Sequence, residues 1–182
     1  MEKNFIMIKD LFPTKIYEAR VADYDVIQRE FESIEMETIW KNLWNTHLIS
    51  DTSFEQKILP YHFSQELKTH LYNYTGSDGW NQQASWMSCL EPGQYAAAHH
   101  HGHSDLSGVY YFKTNGDDGD LFFQTPNLAS TTSIWSNEPH TISMKPEQGK
   151  LILFPGYLMH GIRTNTTPHT RLSVSFNMRF DR

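Results

Sequence analysis

The spacing of apolar residues changes character about two-fifths of the way along the chain. In the first part, apolar side chains recur twice at helical spacing, as Tyr24, Ile27, Phe31 and Ile34 and then as Phe63, Leu67, Leu71 and Tyr74. Pro60 stands just ahead of the second set, and a cluster of turn-forming residues occupies positions 75–79. This pattern predicts that the stretch from Ile16 to Tyr74 is mostly helical.

Beyond residue 79 the pattern becomes that of short β-strands. Seven runs rich in aromatic and aliphatic residues follow one another: ASWMSCL, LSGVYYF, DLFFQT, TISM, KLILF, GYLMHGI and RLSVSFNM. Turn-forming segments such as EPGQ and TNGDDGD separate these runs, which indicates a sandwich or barrel rather than alternating strands and helices. We therefore predict one domain over residues 1–182, with a mostly helical support at 1–79 and a β-roll core at 80–182.

Composition narrows the classes of function. The 182 residues carry a formal net charge of -6 and no basic run, which argues against a nucleic-acid surface. No apolar stretch approaches the ~20 residues of a membrane helix, and the N-terminus lacks the apolar core of a signal peptide. The single Cys89 excludes an internal disulfide and fits a cytoplasmic protein; we expect it to be a strand residue rather than a nucleophile.

Four of the ten histidines fall within the five positions 99–103. Alternate residues of a strand share a face, so an H-x-H pair offers two converging imidazoles to a metal ion. Three such pairs overlap here: His99 with His101, His101 with His103, and the mixed pair His103 with Asp105. His100 would point to the other face. The cluster predicts a metal site but does not say which pair is used.

A third ligand and an anion-binding group are expected from the C-terminal strands. His160 is the leading candidate for the ligand, since it follows the corner at Pro155-Gly156. Eleven residues later, Arg171 shares a strand face with Ser173, and the chain reversal between them brings Arg171 back towards His160. A guanidinium beside a hydroxyl suits the binding of a carboxylate. Four further histidines are predicted to be structural or solvated: His62, His70, His140 and His169.

Together these residues resemble the Fe(II)- and 2-oxoglutarate-dependent dioxygenases. Gly93, His99, His101, His160, Arg171 and Ser173 fit the spacing of that superfamily. The chain is most similar to a family of such oxygenases from marine bacteria and bacteriophages. The matching segments are LFPTKIY at 11–17, SWMS at 85–88, HHHGHSDLSGVYY at 99–111, FPGYLMH at 154–160 and RLSVSFN at 171–177. Two positions depart from the family pattern, which has proline at Gly102 and asparagine at Ser88.

The resemblance implies a mainly β fold with some α-helix, a double-stranded β-helix (a cupin-like jelly roll) with an N-terminal helical layer. It implies a hydroxylase that uses Fe(II), 2-oxoglutarate and O2 and releases succinate and CO2. The catalytic metal would be held by His99, His101 and His160. His101 stands where the superfamily usually has a carboxylate, so His103 or Asp105 remains an alternative ligand.

Cofactor binding would fall to other residues in the matching segments. Arg171 and Ser173 would bind the distal carboxylate of 2-oxoglutarate. Tyr110 and Tyr111 alternate in direction along their strand, and we expect Tyr110 to line the cofactor pocket. Asn177 and Trp86 are weaker candidates for lining the pocket, and each is expected to be structural rather than functional.

A cupin-type metalloenzyme is the main alternative. It would act without 2-oxoglutarate, as a dioxygenase or isomerase, and would use His99, His101, Asp105 and His160. Such an enzyme has no need of Arg171 and Ser173 at their spacing. A binding module without enzymatic activity is a third reading. The expected substrate is a small molecule or the side chain of an amino acid or peptide, and the sequence leaves open whether the chain forms a homodimer.

Overall fold

The protein consists of two antiparallel sheets with two α-helices packed on the larger one. The structure, a computed structural model, describes residues 13–50, 58–132 and 139–181. The helices are α1 (Tyr24–Glu37) and α2 (Tyr61–Thr75), with a short 3-10 helix at Leu128–Thr132. The strands are β1 (Tyr17–Arg20), β2 (Trp40–Leu43), β3 (His47–Ser50), β4 (Trp80–Leu90), β5 (Ala96–His99), β6 (Leu106–Lys113), β7 (Leu121–Gln124), β8 (Thr141–Met144), β9 (Lys150–Pro155), β10 (His160–Ile162) and β11 (Arg171–Phe180).

The strand order is that of a jelly roll. The larger sheet has the order β1-β9-β6-β11-β4-β3-β2, and the smaller sheet has the order β5-β10-β7-β8. Strands that are neighbours in space are mostly far apart in sequence; β11, for example, lies between β4 and β6 and pairs antiparallel with both. The predicted fold class, a mainly β double-stranded β-helix with an N-terminal helical layer, is confirmed.

Both helices bury the apolar stripe that their sequence spacing predicted. Ile27 and Phe31 of α1 are fully buried, as is Phe63 of α2. The Phe31 ring lies 5.2 Å from that of Phe63 and 5.4 Å from that of Tyr110 on β6. Burying each side chain of this size stabilises the fold by roughly 1.5–3 kcal/mol, and this packing fixes the helices on the outer face of the larger sheet.

Alternation along β6 separates that outer layer from the interior. Tyr110 belongs to the apolar cluster beneath the helices. Val109 and Tyr111 point the other way and join Phe123 and Phe154 in a second cluster between the two sheets. Because successive strand residues face opposite sides of a sheet, β6 serves both layers. The space between the sheets is where the candidate site lies.

The N-terminal region is less helical than the sequence predicted. Both expected helices are present, but β1, β2 and β3 also fall between Ile16 and Tyr74 and extend the larger sheet. Of the run GYLMHGI, only His160–Ile162 is a strand. Within the family motif at 11–17, Leu11 and Phe12 lie outside the described residues. Neither described helix is both long enough and apolar enough to cross a membrane.

Candidate active site

One cavity between the two sheets brings together four of the residues that the sequence singled out. It is lined by His99, His101 and His160 and also by Arg171. The apolar parts of its wall include Val109, Leu121, Phe154, Ile162 and Phe176. A concave, mostly apolar pocket with a few converging polar groups is the usual form of a small-molecule site.

Two of the histidines are held by strand pairing and by their own backbone. His99 ends β5, His160 begins β10, and the two residues lie opposite each other in the antiparallel pair. The Nδ1 atom of His99 lies 2.7 Å from the carbonyl oxygen of Ala97, and that of His160 lies 2.8 Å from the carbonyl of Leu158. A carbonyl can only accept, so both Nδ1 atoms carry the proton and both Nε2 lone pairs are free.

His101 is positioned by a loop and not, as predicted, by a strand. It follows the end of β5 by two residues, and its backbone N–H donates to the carbonyl of Gly156 at 2.8 Å. A Cβ atom at Gly156 would collide with the backbone of Ser104. Only glycine at this position therefore lets the chain lie so close to the loop that carries His101. The imidazole of His101 stacks on the Trp86 ring, with centroids 5.6 Å apart and planes 22° apart.

The imidazoles of His99, His101 and His160, the three ligands that the family resemblance implies, converge in this cavity. One ring nitrogen from each lies within 4.8 Å of the other two, and no other group of three or more potential metal ligands occurs among the described residues. Burial, followed by the nearby His99, lowers the pKa of His101 to about 4 and that of His160 to about 3. At neutral pH both rings are therefore neutral, which is the form that binds a metal ion.

The alternative ligands His103 and Asp105 lie elsewhere. His103 is exposed, and both residues line a separate surface depression with Arg179 and Asp181. The carboxylate of Asp105 accepts the backbone N–H of Phe180 at 3.0 Å. The structure therefore brings together three imidazoles and no carboxylate, and it does not assemble the ligand set of the cupin alternative.

Arg171 lies in the same cavity and is fully buried. Its Nη1 donates to the carbonyl of Gly119 at 2.8 Å, and its Nη2 lies 3.3 Å from the Ser173 hydroxyl, on the strand face that the sequence predicted. Its buried Nε has no hydrogen-bond partner among the described residues. Burial lowers the pKa of the guanidinium. A buried cation with an unused donor is costly unless an anion completes it.

The prediction for Tyr110 is not met by its position. Its ring packs among the aromatic side chains beneath the helices, 4.9 Å from the Phe63 ring, and does not line the cavity. Tyr111 faces the interior instead, and its ring centroid lies 4.8 Å from the guanidinium carbon of Arg171. Its hydroxyl is buried without a hydrogen-bond partner among the described residues. The sequence correctly predicted that the two tyrosines point to opposite faces of β6, but it assigned the wrong one of them to the interior face.

Sequence reasoning missed a fourth histidine in this cavity. His47 begins β3, is 4% exposed and lines the same cavity as Arg171. Burial, followed by the proximity of His99 and Arg171, lowers its pKa to about 4. The residues before it form the turn of a hairpin, in which Trp44 and Asn45 have positive φ angles of 52° and 58°. The exposed indole of Trp44 meets the His99 ring edge-on at 5.8 Å.

Comparison with protein families gives one match. A model described as "Putative 2OG-Fe(II) oxygenase" matches residues 84–177, which is more than half of the chain. The matched segment begins in β4 and ends in β11, so it contains the three histidines, Arg171 and Ser173. None of the curated proteins matches the chain in sequence.

Several solved structures share the fold at low sequence identity. An oxidoreductase of the 2OG-Fe(II) oxygenase family from Burkholderia pseudomallei has a TM-score of 0.66 and 10% identity, over 89% of this chain and 84% of that one. HygX from Streptomyces hygroscopicus, solved with nickel, 2-oxoglutarate and hygromycin B, has a TM-score of 0.63 and 13% identity, over 91% and 83%. The alpha ketoglutarate dependent epimerase SnoN of nogalamycin biosynthesis has a TM-score of 0.68 and 11% identity, over 92% and 78%.

Proposed function

The chain belongs to the Putative 2OG-Fe(II) oxygenase family, and from this premise we propose that it is a dioxygenase that hydroxylates a small-molecule or amino-acid side-chain substrate. The cofactors of this family are Fe(II) and 2-oxoglutarate. One observation carries the proposal: a single cavity holds three converging imidazoles and a fully buried arginine with an unused donor. When bound, the two cofactors supply the oxidising chemistry, which consumes O2 and yields succinate, CO2 and the oxidised substrate.

His99, His101 and His160 are the proposed Fe(II) ligands. Neutral imidazole nitrogens suit a divalent first-row metal, and three protein ligands leave positions open for 2-oxoglutarate and O2. The usual triad of this chemistry has two histidines and one carboxylate, whereas this one is uncharged. The positive charge of the metal is therefore not balanced by its protein ligands, which favours the binding of an anionic cofactor.

Arg171 is the proposed partner of the distal carboxylate of 2-oxoglutarate. Its Nε is unused, and Ser173 holds its Nη2 from the same strand face. The ring of Tyr111 packs against the guanidinium, and its hydroxyl has no hydrogen-bond partner among the described residues, so this hydroxyl is the proposed second donor for the same carboxylate. We propose that Tyr111 takes the role that the sequence had suggested for Tyr110.

The substrate is proposed to enter beside the two tryptophans that contact the histidines. Trp86 stacks on His101, and the exposed Trp44 stands at the edge of His99. Relatives of this fold include an epimerase, a carbocyclase and a protein solved with hygromycin B, so the outcome at the substrate varies between them. Hydroxylation and a cytoplasmic location are both our proposals for this chain. The second is supported by its single cysteine, which cannot form an internal disulfide.

The experiment that tests this function measures succinate formed from 2-oxoglutarate by the Fe(II)-loaded protein in air. We expect His101→Ala to lower this turnover more than about 100-fold. Replacing a residue that only hydrogen-bonds to a metal ligand already lowers metal affinity or activity by about 10–100-fold, and His101 is a proposed ligand itself. His103→Ala is the matched control, and Asp105→Asn tests the cupin ligand set; both should retain turnover. A loss with Asp105→Asn but not with His101→Ala would refute the proposed triad.

A further inference from the structure

The three histidines differ in what holds their second ring nitrogen. In His99 and His160 that nitrogen, Nδ1, is fixed by a backbone carbonyl two residues earlier in the chain. In His101 the Nδ1 atom lies 3.0 Å from the side-chain amide of Asn177. His101 is thus the one member of the triad whose protonation pattern depends on another side chain.

Asn177 is itself held in place by a buried partner. The hydroxyl of Ser107 donates to its Oδ1 at 2.8 Å, and the two residues lie opposite each other where β11 pairs with β6. Ser107 is 2% exposed and Asn177 is 9% exposed, so water cannot readily replace either contact. A buried amide of this kind needs partners at both of its ends.

The orientation of this amide decides which nitrogen of His101 is free. With Nδ2 towards His101, as in the structure, the imidazole accepts at Nδ1 and its proton points into the triad from Nε2. A half-turn of the amide would present Oδ1, which accepts an Nδ1–H and leaves the Nε2 lone pair free. The hydroxyl of Ser107 can donate or accept, so it satisfies the other end of the amide in both orientations.

We propose that Asn177 is a positioning residue that selects the metal-binding tautomer of His101, with its Oδ1 accepting the Nδ1–H when the metal is bound. This inference rests on the proposed role of the triad. Trp86 fixes the plane of the imidazole by stacking, and Asn177 fixes its hydrogen-bond direction and its proton. Hydrogen bonds of this kind orient metal ligands and raise their basicity.

Three substitutions separate this role from a merely structural one. Asn177→Asp keeps a hydrogen-bond acceptor beside His101 and removes the amide donor. Its dissociation constant for the metal should be within about threefold of the native value, or lower. Asn177→Leu keeps the approximate volume and removes the acceptor, and it should bind metal about 10–100-fold more weakly. Ser107→Ala, which leaves one end of the amide unpaired, should lie between the two.

The test is an anaerobic titration of each folded variant with Co(II), a spectroscopic stand-in for Fe(II). Asn165→Asp changes a buried asparagine outside the cavity and controls for the stability lost on placing a carboxylate in the interior, since Nδ2 of Asn165 donates to the carbonyls of Leu90 and His169. The folded variant should bind Co(II) as the native protein does. Nitrogen NMR of the native protein loaded with Zn(II) should show the His101 proton on Nδ1, a readout that does not depend on any variant folding.

The outcomes distinguish this inference from the proposed function. Failure of the native protein to bind Co(II) would refute the triad itself. Native binding combined with equal affinity in Asn177→Leu, or with Asn177→Asp as weak as Asn177→Leu, would overturn the role of Asn177 and leave the triad intact. A proton on Nε2 of His101 in the Zn(II) form would also overturn it.

Discussion

The two ends of the cavity are built in opposite ways. The histidine end, His99, His101 and His160, consists of rings in which every Nδ1 already has a hydrogen-bond partner. At the arginine end the cavity is lined by Arg171, with Ser173 and Tyr111 packed beside it. This end is charged, fully buried and incomplete. The Nε of Arg171 and the Tyr111 hydroxyl have no hydrogen-bond partner among the described residues. Asp118 and Asp120 act favourably on the guanidinium, but its hydrogen bonds go to the Gly119 carbonyl and the Ser173 hydroxyl.

This contrast indicates that a metal ion at the histidine end and a carboxylate at the arginine end gain their binding free energy in different ways. The histidine end is largely arranged in advance. His99 and His160 already present free Nε2 lone pairs, and only the Asn177 amide beside His101 has to turn when a metal ion binds. The arginine end holds a buried charge that Asp118 and Asp120 stabilise only in part, so an arriving carboxylate relieves a cost that the fold already bears. A site built in this way gains specificity for an anionic cofactor, since a neutral molecule would leave the guanidinium unpaired.

The largest expected effect comes from replacing Arg171. Arg171→Met should raise the dissociation constant for 2-oxoglutarate by about 100-fold or more, because breaking a buried charged pair costs about 3–5 kcal/mol. The ligand-free protein should change in unfolding free energy by less than about 2 kcal/mol, since losing the bond to Gly119 is offset by removing a buried charge. Thermal unfolding with and without 2-oxoglutarate measures both quantities, and collapse of the ligand-free variant would show that Arg171 is mainly structural.

Acid should weaken the metal-free protein through histidines that are buried or half-buried. In the unfolded chain an imidazole binds its proton near pH 6.5, whereas in the folded protein the pKa values of His47 and His101 are about 4. Between these values the unfolded state binds more protons, so stability falls as the pH falls, by on the order of 3 kcal/mol for each histidine. Urea unfolding from pH 7 to 4.5 tests this, and His47→Gln should make the decline shallower. A flat profile would contradict neutral, buried rings.

The smallest effect comes from a matched pair of tyrosines. Tyr111→Phe should weaken 2-oxoglutarate binding by roughly 2–5-fold, since it removes a donor next to Arg171 worth about 0.5–1 kcal/mol. Tyr110→Phe makes the same chemical change one residue earlier, on the helix-facing side of β6, and should leave the affinity unaltered. Calorimetric titration with 2-oxoglutarate measures both affinities. If Tyr110→Phe weakened binding as much as Tyr111→Phe, the proposed role of Tyr111 as a donor to the cofactor would be contradicted.

Much of the β-core could be predicted because strand periodicity is local. The runs that became β4, β6, β9 and β11 are long and apolar, and the shared face of Arg171 and Ser173 follows directly from a period of two. Alternation alone could not say which face of β6 points to the cavity. That depends on the helices, which cover the Tyr110 side, and so on contacts distant in sequence.

The hairpin of β2 and β3 was missed because its strands are four residues each and carry no strict alternation. One local signal was present, the asparagine of the turn Trp44-Asn45, since asparagine tolerates positive φ better than most residues. Without that hairpin His47 had no predicted place near the site. The role of Asn177 was equally hidden, because its contact with His101 spans 76 positions of sequence.

The proposed joint site for Fe(II) and 2-oxoglutarate is tested most directly by an anaerobic titration of the Fe(II)-loaded protein with 2-oxoglutarate. The titration is monitored through the weak visible absorption band of the iron–cofactor pair. The native protein should develop the band, and Arg171→Ala should need at least about 100-fold more 2-oxoglutarate to do so. No band with iron confirmed bound, or a band at the same concentration in both proteins, would contradict a cavity that joins a histidine metal site to an arginine carboxylate site.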